Sequence, residues 1–180
     1  MIKRLVVWVL LLAILSMLCA CGAPAYGAEL IPELEALAPK AAAMYEVIYG
    51  DALAHGEVGS DGYCEVSADA PYRSISELKL AMAEVFTEEY IRLLSNTAFS
   101  GISVDEGSIG AKFVEREGVL YVNPSVTEGF AKPRSFDFSK ASVLKANRYM
   151  ARISLAHDDG SIEVTIRLID GRWLLDSPMF

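Results

Sequence analysis

The sequence predicts an α+β domain in which N-terminal helices pack on a twisted antiparallel β-sheet. Apolar residues recur at three- and four-residue steps before Gly101, and they alternate with polar residues after it. The alternating runs are separated by tight-turn signals such as Asp158-Asp159-Gly160 and Asp170-Gly171. A sheet with one apolar face must bury it, and the amphipathic helices are the available cover.

Ile31-Pro32-Glu33 opens the first helix, with proline in the first turn and acids at the positive end of the helix dipole. Leu34, Leu37, Ala38, Ala41, Met44, Tyr45 and Ile48 form its apolar stripe and predict a helix over 32–54. From His55 to Tyr72 glycines, aspartates and Pro71 break the period, apart from a short extended piece over 62–67. Ser74-Ile75-Ser76-Glu77 is a capping-box pattern and starts the second helix, whose buried stripe is Ile75, Leu78, Met82, Val85 and Phe86. Thr87-Glu88-Glu89 places a hydroxyl cap and two acids ahead of Tyr90, Ile91, Leu93 and Leu94, which predicts a third short helix to Asn96.

Beyond Gly101, the runs 112–115 and 119–123 flank Arg116-Glu117-Gly118 as a hairpin. The run Val143–Leu155 reads as one long strand, with Tyr149, Ala151, Ile153 and Leu155 on one face. Ile162, Val164, Ile166 and Leu168 alternate in its partner, and Arg172–Asp176 completes the meander with Trp173. The predicted core combines Met82, Val85, Phe86, Ile153, Val164, Ile166 and Trp173. The segment from Asn123 to Ser142 reads as a long connection carrying Phe130, Phe136 and Phe138; aromatics on a long loop suit recognition, and the other reading is a loop that covers one end of the sheet with its phenylalanines tucked inward.

The N-terminus has a different character. Lys3 and Arg4 precede Leu5–Leu18, a run of fourteen residues interrupted only by Ser16. A membrane-spanning helix needs roughly twenty, so the run is expected to be an export signal that is cut away. Leu18-Cys19-Ala20-Cys21 resembles the lipobox of bacterial lipoproteins, which implies acylation of Cys21, cleavage before it, and a bacterial cell-membrane location on the extracytoplasmic side. Gly22 to Glu29 then reads as a flexible tether to a single domain over 31–180. Each buried methylene contributes about 0.8 kcal/mol, so a multiply acylated cysteine is a lasting anchor.

Losing Lys3 and Arg4 from sixteen basic residues leaves fourteen against twenty-four acids, a net charge of −10 on about 160 residues. Such a surface repels nucleic acid and anionic headgroups and favours basic partners. With Cys19 removed and Cys21 acylated, Cys64 is the remaining thiol, so no internal disulfide is expected; Tyr63, Glu65 and Val66 offer no cation to stabilise a thiolate. His55 and His157 have no partner at metal-ligand spacing, and His157-Asp158-Asp159-Gly160 is ordinary turn chemistry. No nucleophile elbow, phosphate loop or dinucleotide fingerprint occurs. Neither an enzyme nor a cofactor or metal protein is expected.

Four phrases are spread over a stretch of about two thirds of the mature chain: Tyr72-Arg73-Ser74-Ile75-Ser76-Glu77-Leu78-Lys79, Val85-Phe86-Thr87-Glu88-Glu89-Tyr90, Glu117-Gly118-Val119-Leu120-Tyr121-Val122 and Asp170-Gly171-Arg172-Trp173-Leu174-Leu175-Asp176-Ser177-Pro178. In that order they resemble small exported lipoproteins related to the bacterial inhibitors of cell-wall DL-endopeptidases, the IseA type. The resemblance implies a cystatin-like or nuclear-transport-factor-2-like cone that docks on a cell-wall peptidase and blocks it without catalysis of its own. Its motifs assign no inhibitory residue. The candidate binding residues are Tyr121, Phe130, Phe136 and Phe138, for a peptidase or another envelope protein. The alternative is a cone that holds a small ligand in an apolar cavity between helices and sheet.

Overall fold

The first apolar stripe folds as helix α1, Leu30–Tyr49, in the computed structural model, which describes residues 27–104, 107–127 and 134–180. Leu34, Ala41, Met44 and Ile48 turn inward and are buried. The helix ends five residues before the expected 54, because Gly50 closes it with its amide on the Glu46 carbonyl at 3.0 Å. The next residues are extended instead: Ser67 N donates to Ala54 O at 2.8 Å and Gly56 N to Glu65 O at 2.9 Å. Pairing with strand β1, Cys64–Glu65, satisfies this backbone better than another helical turn begun at glycine.

Helix α2, Ile75–Ala83, starts where the capping pattern places it, with Ser74 Oγ accepting from Glu77 N at 3.1 Å. The Glu77 carboxylate reaches one residue further back than the usual box and takes the Arg73 amide at 2.6 Å. Helix α3, Glu88–Ser95, is capped by Thr87, whose hydroxyl accepts from Tyr90 N at 3.3 Å. A π-helical turn over Asn96–Ser100 follows, and Gly101, at φ 77°, releases the chain from it.

The strands form three antiparallel sheets. β2, Ile102–Val104, pairs with β3, Gly107–Ile109. β4, Phe113–Arg116, and β5, Val119–Val122, join β1 in the order β1-β5-β4. Their two-residue turn, Glu117-Gly118, has φ 52° and 79°, the positive pair that a type I′ hairpin requires. The largest sheet is the meander β6, Phe136–Asn147, β7, Met150–His157, β8, Gly160–Ile169, and β9, Arg172–Leu175.

Two expectations are corrected here. The run Val143–Leu155 is two strands, not one, because Asn147 Oδ1 accepts from Tyr149 N at 2.8 Å and from Met150 N at 2.9 Å and turns the chain at Arg148-Tyr149. The segment 123–142 is not a loop throughout. Pro124–Thr127 forms a 3-10 turn, and β6 begins at Phe136 because its backbone pairs with β7, Phe136 opposite His157.

The inward face of the meander carries Ala151, Ile153, Leu155, Val164, Ile166 and Leu175, all fully buried. Met82, Val85 and Phe86 join them from the helical side, as expected. Trp173 is only partly buried: it lies at the margin of the core, where the short β9 leaves the indole half covered. These observations establish an α+β fold, with three α-helices and antiparallel sheets among the described residues.

Helices and sheet are joined at one place. The extended residues Val85–Thr87 run parallel to the outer edge of β9, with Leu175 N donating to Val85 O and Thr87 N to Leu175 O, both at 2.8 Å. Thr87 Oγ1 also donates to Asp176 Oδ1 at 2.6 Å, so one buried hydroxyl caps α3 and ties it to the end of β9. Losing a cap costs about 1 kcal/mol, and losing a hydrogen bond to a carboxylate about 1.5–3 kcal/mol. Thr87→Val is therefore expected to lower unfolding stability by about 2–4 kcal/mol, measured by urea denaturation with an unchanged m-value.

Candidate functional site

The staple at Thr87 sets the start of α3 beside the end of the β8–β9 hairpin and leaves an open cleft of about 850 Å³ there. Ile91, Ile169 and Leu174 give it an apolar lining. Its charged lining is balanced: Lys79, Arg92 and Arg167 face Glu88, Glu89 and Asp176. Arg167 Nε is ion-paired with the Asp176 carboxylate, whose other oxygen holds Thr87. Lys79 Nζ lies 5.4 Å from the centre of the Phe99 ring. Arg92, Glu88 and Glu89 are exposed and make no ion pair with a described residue, so both signs are left to meet a ligand. In a chain of net charge −8, a cleft neutral overall but carrying both signs suits a polypeptide segment of mixed charge better than a single anion or cation.

Beneath α1 the interior is filled with aromatic side chains. Tyr45 stacks between Tyr49 and Phe180 at 5.3 Å from each and meets Phe86 edge-on at 6.1 Å. The Tyr45 and Tyr90 hydroxyls hydrogen-bond each other in the core. Burial raises all three phenols above their ordinary value; for Tyr90 the neighbouring Tyr45 adds to the effect. Tyr45 and Tyr49 are one helical turn apart on α1, so their shared face was legible, whereas Tyr90 comes from α3 and meets them only in three dimensions.

Lys112 was missed. It precedes β4 and is fully buried, with its ammonium donating to Gly50 O at the end of α1. Burial lowers its pKa to about 8, while the nearby Asp51 opposes the shift. Only its place between Ala111 and Phe113 hinted at burial, and a lone lysine beside apolar neighbours is a weak signal.

The residues singled out from the sequence do not form one site. Phe136 and Phe138 lie together on β6, ring centres 6.3 Å apart, but they are half-buried and packed on the core; Phe136 lies 5.5 Å from Phe180. The inward reading of these two rings holds, but on a strand instead of a loop: pairing of β6 with β7 draws them in. Phe136 also borders a smaller cleft of about 340 Å³ with His157 and Asp158. Tyr121 belongs to β5, in the other sheet, where Arg116 sits between it and Tyr63 at 5.1 and 5.0 Å and reaches Asp61 at 2.8 Å. Phe130 and Cys21 lie outside the described residues.

His157 completes the turn into β8 and accepts from Asp159 N at 3.2 Å. His55 Nε2 is 3.1 Å from Asp51 Oδ1, and Nδ1 is 2.8 Å from Gly56 O, so both ring nitrogens face groups of its own segment. Cys64 is buried with its thiol on Val122 O at 3.2 Å, and burial pushes its pKa up. Among the described residues no group of three or more His, Cys, Asp or Glu side chains converges to hold a metal ion, and no helix is long and apolar enough to cross a membrane. No family model matches the sequence, nor does any curated protein or solved structure.

The buried ionisable groups predict a two-sided alkaline response. Lys112 holds its proton less tightly folded (about 8) than at its ordinary value of 10.5, so the unfolded chain binds more protons in that window and stability rises with pH. The raised Cys64 thiol and the raised tyrosines act oppositely: above pH 9 for the thiol and above pH 10 for the phenols, the unfolded groups release protons first, and stability falls. Urea midpoints measured across pH 7–11 are expected to climb and then drop, and Lys112→Met is expected to abolish the climb alone.

Proposed function

We propose that this chain is a non-catalytic lipoprotein of the bacterial cell envelope, held at the outer face of the cell membrane through Cys21, and that its work is to bind another protein. The open cleft between α3 and the β8–β9 hairpin is the observation that carries this reading. Its apolar patch and its two exposed signs of charge are what a docked segment of a folded partner needs. The resemblance to inhibitors of wall DL-endopeptidases supplies the partner: a cell-wall peptidase whose activity the bound lipoprotein blocks. Helices followed by an antiparallel meander, with α1 laid across it, are compatible with a cystatin-like or nuclear-transport-factor-2-like cone, which is part of the same proposal.

The competing reading, a small ligand held inside the cone, draws no support from an interior occupied by Tyr45, Phe86, Tyr90, Leu155 and Ile166. The candidate surface moves accordingly, from the aromatics of the 123–142 segment to the cleft around Arg92.

Two measurements test the proposal separately. Mass spectrometry of protein extracted from membranes is expected to find the mature chain beginning at an acylated Cys21; an uncut leader or a bare thiol would remove the anchor. In a peptidoglycan digest by a DL-endopeptidase, the chain is expected to suppress peptide release in proportion to its concentration. Ile91→Asp combined with Arg92→Glu should weaken that suppression ~10-fold or more, the size expected for residues at the centre of an interface. Unimpeded digestion at a molar excess of the chain, with no complex on gel filtration, would discard the inhibitor reading.

A further inference from the structure

Charge is unevenly distributed along this chain. From Glu29 to Thr127 seventeen acids stand against six basic residues, whereas between Asp137 and Asp158 there is no acid and there are four basic residues, Lys140, Lys145, Arg148 and Arg152. That acid-free stretch is the β6–β7 hairpin. Arg152 is neutralised by an ion pair with Glu163. Lys145 and Arg148, nearer the turn, make no ion pair with a described residue, and the Arg148 guanidinium lies 4.4 Å from the Tyr149 ring centre.

The same hairpin exposes apolar side chains. Tyr149 at the turn is 55% exposed and Leu144 51%. Val143 pairs with Ile153 and Lys145 with Arg152, so Leu144 is the surplus residue of a β-bulge with no partner on β7. Cations flanking an exposed tyrosine and leucine match a membrane interface, where phosphates meet the first methylenes.

The chain enters the domain beside this hairpin. Gly27 is seated against Val143, one residue before Leu144: a Cβ on Gly27 would come within 2.7 Å of Val143 Cγ1. Cys21 is six residues earlier, a reach of at most about 22 Å. The turn lies roughly 17 Å along β6 from Val143. The tether is thus long enough to let the hairpin reach a bilayer and too short to carry it far away.

We propose that the β6–β7 turn rests on the anionic lipid surface of the membrane that holds the anchor, with Lys145 and Arg148 against lipid phosphates and Leu144 and Tyr149 at headgroup depth. The inference rests on the lipid-anchored reading above. The acid-rich helical part is repelled by the same surface, which turns it outward. The cleft borders β8 and β9 at the same end of the sheet: its Arg167 lies opposite Met150, and the Leu168 amide beside it donates to the Tyr149 carbonyl at 2.8 Å.

The test uses the full-length product purified from membranes and reconstituted on phosphatidylcholine vesicles with or without phosphatidylglycerol, with hydrogen exchange followed by mass spectrometry. Each cation near an anionic surface contributes roughly fivefold in occupancy. Amides over 144–150 are therefore expected to exchange ~10-fold or more slowly on the anionic vesicles, and about 0.5 M salt should remove the difference. Lys145→Glu with Arg148→Glu should abolish the protection while the vesicle-bound fraction stays the same. Protein held on both vesicles with equal exchange over 144–150 overturns the hairpin contact and leaves the anchor standing. Protein that floats with neither vesicle overturns the anchor and this inference with it.

Discussion

The structure depends on how the helical half is attached to the meander. A four-stranded antiparallel sheet ends in an unpaired backbone at β9, and an α-helix cannot satisfy it, because its own amides and carbonyls are already engaged. The chain solves this with three extended residues, Val85–Thr87, between two helices. The sheet edge gains a short parallel neighbour, and the residue that ends the neighbour begins α3. The Thr87 hydroxyl, the Asp176 carboxylate and the Arg167 guanidinium then form one chain of charge-assisted bonds at the rim of the cleft. The shape of the candidate site and the stability of the fold are therefore the same interaction viewed from two sides.

The interior shows how few of its polar groups are optional. Tyr45 and Tyr90 bury large aromatic surfaces, but each brings a hydroxyl that must find a partner, and they satisfy each other. Lys112 buries a long aliphatic stem and donates from its ammonium to the carbonyl of Gly50, the C-cap of α1, where the helix dipole favours positive charge. A desolvated lysine is a costly way to finish a helix, and its lowered pKa reflects that cost.

The outside is organised by charge. The chain from Glu29 to Thr127 carries seventeen of the acids, the hairpin β6–β7 carries Asp137 alone, and the cleft between α3 and β8–β9 is balanced.

What the sequence by itself determined is local. Three helices, the capping residues Ser74 and Thr87, the turns at Glu117-Gly118, Asp158-Asp159 and Asp170-Gly171, and the alternation of Val164 and Ile166 were all legible, because caps, turns and periodicities are set by residues a few positions apart. The premature end of α1, the splitting of 143–155 at Asn147 and the start of β6 at Phe136 were not, since each was settled by backbone pairing with a distant strand or by a single Asn side chain. The cleft was legible only in fragments: Ile91 and Arg92 are eighty residues away from Leu174 and Asp176, and no periodicity connects them. Lys112 was hidden for the same reason, because whether a lysine lies in water or beneath a helix is decided by what folds over it.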